Sequence, residues 1–142
     1  ACWAPLVPFA KSRLAVNDAE LGILLLCIGI GGVIAMVATG PFSARYGSRP
    51  AISAGGYAMS AILPLLAILP TPMTLGLALL AFGAALGLLD VAMNVHAVEV
   101  ERSEGRPLMS GFHAMFSIGG FFGASLVTGL LALQVPAWAG TL

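Results

Sequence analysis

Two charge-free apolar runs, Leu21 to Thr39 and Ala51 to Leu69, flank a short basic stretch. Each run holds about 19 residues, close to the roughly 20 that carry a helix across the ~30 Å hydrocarbon core of a bilayer. In lipid the backbone N–H and C=O groups find no water, so a run of this kind satisfies them internally, as a helix. This feature excludes a soluble globule. It predicts an all-α chain, a polytopic transmembrane helix bundle. Composition agrees: 59% of residues are hydrophobic and 8% are charged, where a soluble domain carries about 25% charged residues.

The stretch between the runs is Gly40-Pro-Phe-Ser-Ala-Arg45-Tyr-Gly47-Ser-Arg49-Pro50, and its charge is purely positive. It reads as an interhelical hinge. Short loops rich in Arg and Lys stay on the cytoplasmic side, which predicts an orientation. The other basic residues fit it: Arg102 and Arg106 fall inside, Lys11 and Arg13 outside.

The rest of the chain reads as follows. Residues 1–10 resemble the outer end of a helix that begins upstream, with Trp3 at the interface. The chain opens apolar and without Met, so it is read as a fragment. Residues 11–20 form a polar loop, in which Asn17 or Asp18 caps the next helix and Glu20 completes a capping box. Helices are expected over 19–39, 51–69, 73–98 and 108–134, with Pro64 inside the third. Leu69 to Pro72 forms an outer turn, 99–107 an inner charged loop, and Trp138 marks an outer interface. Cys2 and Cys27 read as small apolar residues. His96 and His113 lie on different helices with no third ligand at fixed spacing, so no metal motif arises. No phosphate-binding loop and no basic face are visible. No cofactor, no nucleic acid and no metal are therefore expected. Gly29, Gly31 and Gly32, the pair Gly83 and Gly87, and the pair Gly119 and Gly123 read as sites of close helix packing.

One segment carries chemistry: Gly87-Leu-Leu-Asp90-Val-Ala-Met-Asn94-Val-His96-Ala-Val-Glu99. Asp90 lies about 13 Å of helix inside Glu99, within the hydrocarbon layer. A charge there is costly and is kept facing a cavity or a partner. Asn94, four residues on, shares its face. An acid and an amide side by side can hydrogen-bond a hydroxylated solute, and the acid can also take a proton. The bland alternative is a structural acid bonded to a neighbouring helix. His96 and Glu99 sit near the membrane surface, as a local ion pair or as a proton entry. His113 on the fifth helix either relays protons and contacts solute or bonds a neighbouring helix.

The hinge resembles the loop between the second and third helices of the major facilitator superfamily, Gly-x-Leu-Ala-Asp-Arg-x-Gly-Arg-Arg/Lys. Gly40, Arg45, Gly47 and Arg49 match it in spacing, while Ala44 and Ser48 replace the Asp and the first paired basic residue. The resemblance implies a partial major facilitator fold, the tail of helix 1 plus helices 2–5, belonging to an N-terminal six-helix domain. It also implies that Gly40, Arg45, Gly47 and Arg49 form a gating loop, without its carboxylate. The segments Asp90 to Asn94, Pro107 to His113 and Phe116 to Gly120 resemble the bacterial fucose-permease-like uptake carriers. The fourth helix lacks the Arg of drug exporters, and Gly123 is followed by Ala124 where exporters have Pro.

The expected function is secondary transport of a small sugar-like solute across the bacterial inner membrane by proton symport, with Asp90, Asn94 and His113 holding solute and proton. The expected partners are that solute, the proton, the lipid bilayer and the remaining helices of a longer protein. One rival is an exporter of drugs or metabolites with the same fold. A less favoured rival is an intramembrane enzyme using Ser110 or Ser117 with His113 and Asp90; no enzyme activity is expected.

Overall fold

The computed structural model describes residues 3–136. Cys2 and Trp138 lie outside them. Among the described residues all regular structure is helical. A single 3-10 turn at Ala4–Leu6 leads into α1 (Val7–Leu14), followed by α2 (Asp18–Tyr46), α3 (Ser48–Ile68), α4 (Pro72–Glu104) and α5 (Met109–Ala132). The last four are each long and apolar enough to cross a membrane. The protein is thus a multi-pass membrane protein of helical build.

Local chemistry sets the helix starts. Asn17 accepts from the Glu20 N–H while Glu20 accepts from the Asn17 N–H, each at 2.9 Å, so the expected capping box forms and begins α2. Thr71 accepts from the Thr74 N–H, and Pro72 occupies the first turn of α4, where a missing N–H costs nothing. At the other end, Gly105 caps α4 with φ +64°.

Three expected loops are shorter than predicted. The hinge is mostly helical: α2 continues through Gly40 and Pro41 to Tyr46, and α3 starts at Ser48. One residue, Gly47, makes the reversal, at φ +87° and ψ 163°, a backbone region open essentially to glycine. The inner loop 99–107 is helical through Glu104, and the outer loop 11–20 is helical through Leu14. The helices outrun the membrane. At 29 and 33 residues, α2 and α4 are about 44 and 50 Å long, against a core of ~30 Å. Beyond the hydrocarbon, local propensity governs, and Ala, Arg and Glu are good helix formers.

α4 is the central element, with α2 and α3 packed along it. The α2–α4 crossing is backbone against backbone. A Cβ on Gly31 would overlap the Leu80 carbonyl, one on Gly83 the Ile28 carbonyl, and one on Gly87 would lie 2.5 Å from the Gly32 oxygen. Gly29 and Gly119 meet nothing nearby, so those two are not packing positions among the described residues. α5 touches α4 only sparsely.

The end of the bundle far from the hinge is filled. Trp3, Leu6, Ala10, Leu24, Leu66, Leu75, Leu79, Phe82 and Val127 form one buried cluster. Arg13 ties α1 to it by donating to the Leu66 carbonyl at 3.1 Å in the last turn of α3, where a cation suits the helix dipole. Partial burial draws this guanidinium below its ordinary pKa, yet it remains a cation. Lys11 pairs with Asp18 at the surface, a contact of small energetic weight.

Candidate functional site: a cavity at the hinge end of the bundle

Where the end far from the hinge is packed, the hinge end holds a cavity. A cavity of about 370 Å³ opens between α4 and α5, with Ile52 of α3 at its side. From α4 come Asp90, Met93, Asn94, His96, Ala97 and Val100; from α5 come Met109, Phe112, His113, Met115 and Phe116. Positions 90, 94 and 97 of α4 recur at helical spacing, as do 109, 112, 113 and 116 of α5, so each helix turns one face to the space.

The cavity thus brings together Asp90, Asn94, His113 and His96, four of the residues singled out from the sequence. Asp90 is half-buried. Asn94 is not wholly free, because its Nδ2 donates to the Asp90 carbonyl at 2.9 Å, one turn back on α4. Its Oδ1 and second N–H remain available. The polar stripe is therefore an acid and a half-engaged amide. His113 is exposed on α5. The walls between these groups are thioether, aromatic and aliphatic.

His96 and Glu99 form the expected close pair at 3.2 Å. A third member, missed from sequence, joins them. Ser48, only 4% exposed, sets its Oγ 3.1 Å from His96 Nδ1 and donates to Glu99 Oε2 at 3.1 Å. Ser48 is the first residue after the Gly47 reversal, so this triangle clasps the start of α3 to the C-terminal end of α4. Its one signal in the sequence was that a small hydroxyl stood where the resembled loop carries a basic residue. The triangle is not a nucleophile triad. Acid and hydroxyl both meet Nδ1, whereas proton relay to a serine needs them on opposite ring nitrogens. Among the described residues the serine that meets a histidine is Ser48, not Ser110 or Ser117.

The hinge arginines stand apart from the cavity. Arg45 is exposed, with its guanidinium 5.5 Å from the Tyr46 ring centroid, and Arg49 is exposed at the first turn of α3. Gly40 lies within α2 and meets nothing nearby. The four gating-loop candidates therefore share the hinge end of the α2–α3 pair and do not line the cavity. Among the described residues no group of three metal-ligating side chains converges.

Helices of membrane length, two of which enclose a partly polar, open-sided cavity, define a class: polytopic membrane proteins. Known proteins similar to this chain are named accordingly. A protein of Yersinia pestis named as an uncharacterized MFS-type transporter is 56% identical over 133 residues, covering 94% of this chain and 35% of the relative. An uncharacterized transporter of Sinorhizobium fredii is 38% identical over 87% of this chain and 33% of its own length. The membrane protein MosC of Rhizobium meliloti is 35% identical over 84% of this chain and 29% of its own length. The chain thus spans about a third of the length of the curated relatives it matches. No protein-family model and no solved structure match it.

Proposed function

We propose that this chain is part of the N-terminal six-helix half of a major facilitator secondary transporter. It carries a small hydroxylated, sugar-like solute across the bacterial inner membrane by proton symport with alternating access. The observation that carries this reading is the convergence of Asp90, Asn94 and His113 on one cavity between α4 and α5. An acid inside the membrane is retained for a pathway or a partner. Asp90 takes the proton, Asn94 Oδ1 and its free N–H bind hydroxyls, and Phe112 and Phe116 pack against the apolar faces of a ring. The hinge end, with Arg45, Gly47 and Arg49, faces the cytoplasm and acts on the gate; Glu99 and His96 stand at the proton entry. The names of the relatives support transport, and the Arg distribution supports the orientation. The solute, the proton, the bilayer and the remaining helices are the partners.

The deciding experiment is uptake of a panel of labelled sugars and polyols by the full-length protein in proteoliposomes under an imposed pH gradient. Accumulation of a panel member supports the reading; failure of every member to accumulate overturns it. A second reading, export of drugs or metabolites, is favoured by the apolar walls that Met93, Met109, Phe112, Met115 and Phe116 supply. The direction of flux in everted vesicles separates the two.

A further inference from the structure

The Ser48–His96–Glu99 triangle has only one self-consistent arrangement of protons. The Ser48 hydroxyl has a single proton, and it goes to Glu99 Oε2. His96 Nδ1 then faces two oxygens, Ser48 Oγ at 3.1 Å and Glu99 Oε2 at 3.2 Å. A bare Nδ1 would set its lone pair against a carboxylate. An Nδ1–H donates into the pair and satisfies all three groups. Which ring nitrogen of a histidine is protonated is set by the hydrogen bond the other makes. Nδ1 is thus committed to the clasp, and Nε2 has no hydrogen-bond partner among the described residues, on a side chain that lines the cavity.

We propose that Ser48 and Glu99 fix His96 as its Nδ1–H tautomer, and that Nε2 is the atom through which protons enter the cavity from its inner end. This rests on the symport reading and names the entry group for the same site. The step balances simply. The Nε2 lone pair takes a proton from water at the inner surface, giving an imidazolium, and returns it to cavity water on the Asp90 side, restoring the neutral ring. Asp90 is six residues away, about 9 Å along α4, too far for direct transfer. A 370 Å³ cavity has room for roughly ten waters. The charged and titratable groups around the ring are Glu99 and Asp90 on α4, Arg49 on α3, whose charge Glu99 feels, and His113 across the cavity on α5. Adding a proton at Nε2 leaves both clasp hydrogen bonds in place, so loading His96 need not release α3. Ser48 and Glu99 are positioning residues.

The test uses the full-length protein in oriented proteoliposomes, with isotope-labelled histidine read by solid-state NMR. The wild type should show a single Nδ1–H tautomer at His96. Its imidazolium signal should follow the pH of the compartment that the Ser103 end faces. Ser48→Ala combined with Glu99→Gln should split the tautomer signal in two, and restoring Glu99 alone should restore one, because a carboxylate then faces Nδ1 again. An Nε2–H tautomer in the wild type overturns the proposal, as does an imidazolium that follows the opposite compartment. These wild-type readings stand even where the double variant does not fold. If the same vesicles accumulate no sugar or polyol while the tautomer result holds, the solute reading falls and the His96 assignment remains.

Discussion

Asp90 and Glu99 are both acids on α4, and the fold gives them different work. Glu99 sits at the inner end with two hydrogen-bond donors on it. Asp90 lines the cavity, and its carboxylate has no hydrogen-bond partner among the described residues. Asp90→Asn keeps shape and most hydrogen bonding but cannot exchange a proton. We expect it to abolish uptake driven by a pH gradient while counterflow exchange persists. Normal gradient-driven accumulation by this variant would make Asp90 structural. Asn94→Ala should weaken solute binding in both assays. It also removes the side-chain donor from the Asp90 carbonyl, which keeps its helical bond, so thermal stability should be recorded beside transport to separate the two effects. At the hinge, Gly47 holds φ +87°, and Gly47→Ala should destabilise the protein by about 1–3 kcal/mol of backbone strain, seen as a lower melting temperature in detergent. Arg45, exposed and away from the cavity, should act on rate. Arg45→Ala is expected to slow turnover far more than it weakens binding, and equal losses in the two assays would rule out a gating role.

At the scale of the helix, the glycines divide by what their neighbours are. Gly31 and Gly83 lie against carbonyls of the facing helix, which cannot swing aside as a side-chain tip would. Gly31→Ala and Gly83→Ala should force α2 and α4 apart, costing about 1–3 kcal/mol or more. Gly119→Ala, with open space around it, should leave the melting temperature unchanged. Equal effects at Gly83 and Gly119 would contradict the crossing described above. Sequence spacing alone could not rank these pairs, because Gly83-x-x-x-Gly87 and Gly119-x-x-x-Gly123 are identical patterns. The same limit explains the helix ends. Hydropathy locates the lipid-crossing part of a helix, so α2 and α4 were legible over their apolar stretches. It says nothing about Pro41 to Tyr46 or Glu99 to Glu104, where water replaces lipid and helix propensity decides. That Asp90, Asn94 and His113 line one cavity accords with how they stand out in the sequence, as polar side chains inside apolar runs. Ser48 does not stand out, because its partners lie 48 and 51 residues away and nothing local marks a serine as theirs.

For the whole molecule, the orientation is the most accessible prediction. With Cys2 and Cys27 removed, Ser12→Cys should react with an impermeant thiol reagent added to whole cells, and Ser103→Cys should not. Both sites are exposed, so protection reports sidedness. The reverse pattern would invert the bundle and move the clasp to the outer face.

The backbone-to-backbone seam between α2 and α4 also bears on how the chain is made. α2 meets its sequence neighbour α3 only lightly, and its main partner is α4. During synthesis the Gly31 groove is therefore ready before anything exists to fill it. Gly83 emerges some fifty residues later, a delay of about 3–10 s at ordinary ribosomal speed. Over that interval α2 and α3 stand in the bilayer as a loosely held hairpin, bridged by Gly47. Nascent-chain crosslinking should find α2 beside the insertion machinery until α4 arrives, and a chain truncated before Gly83 should remain vulnerable to membrane proteases.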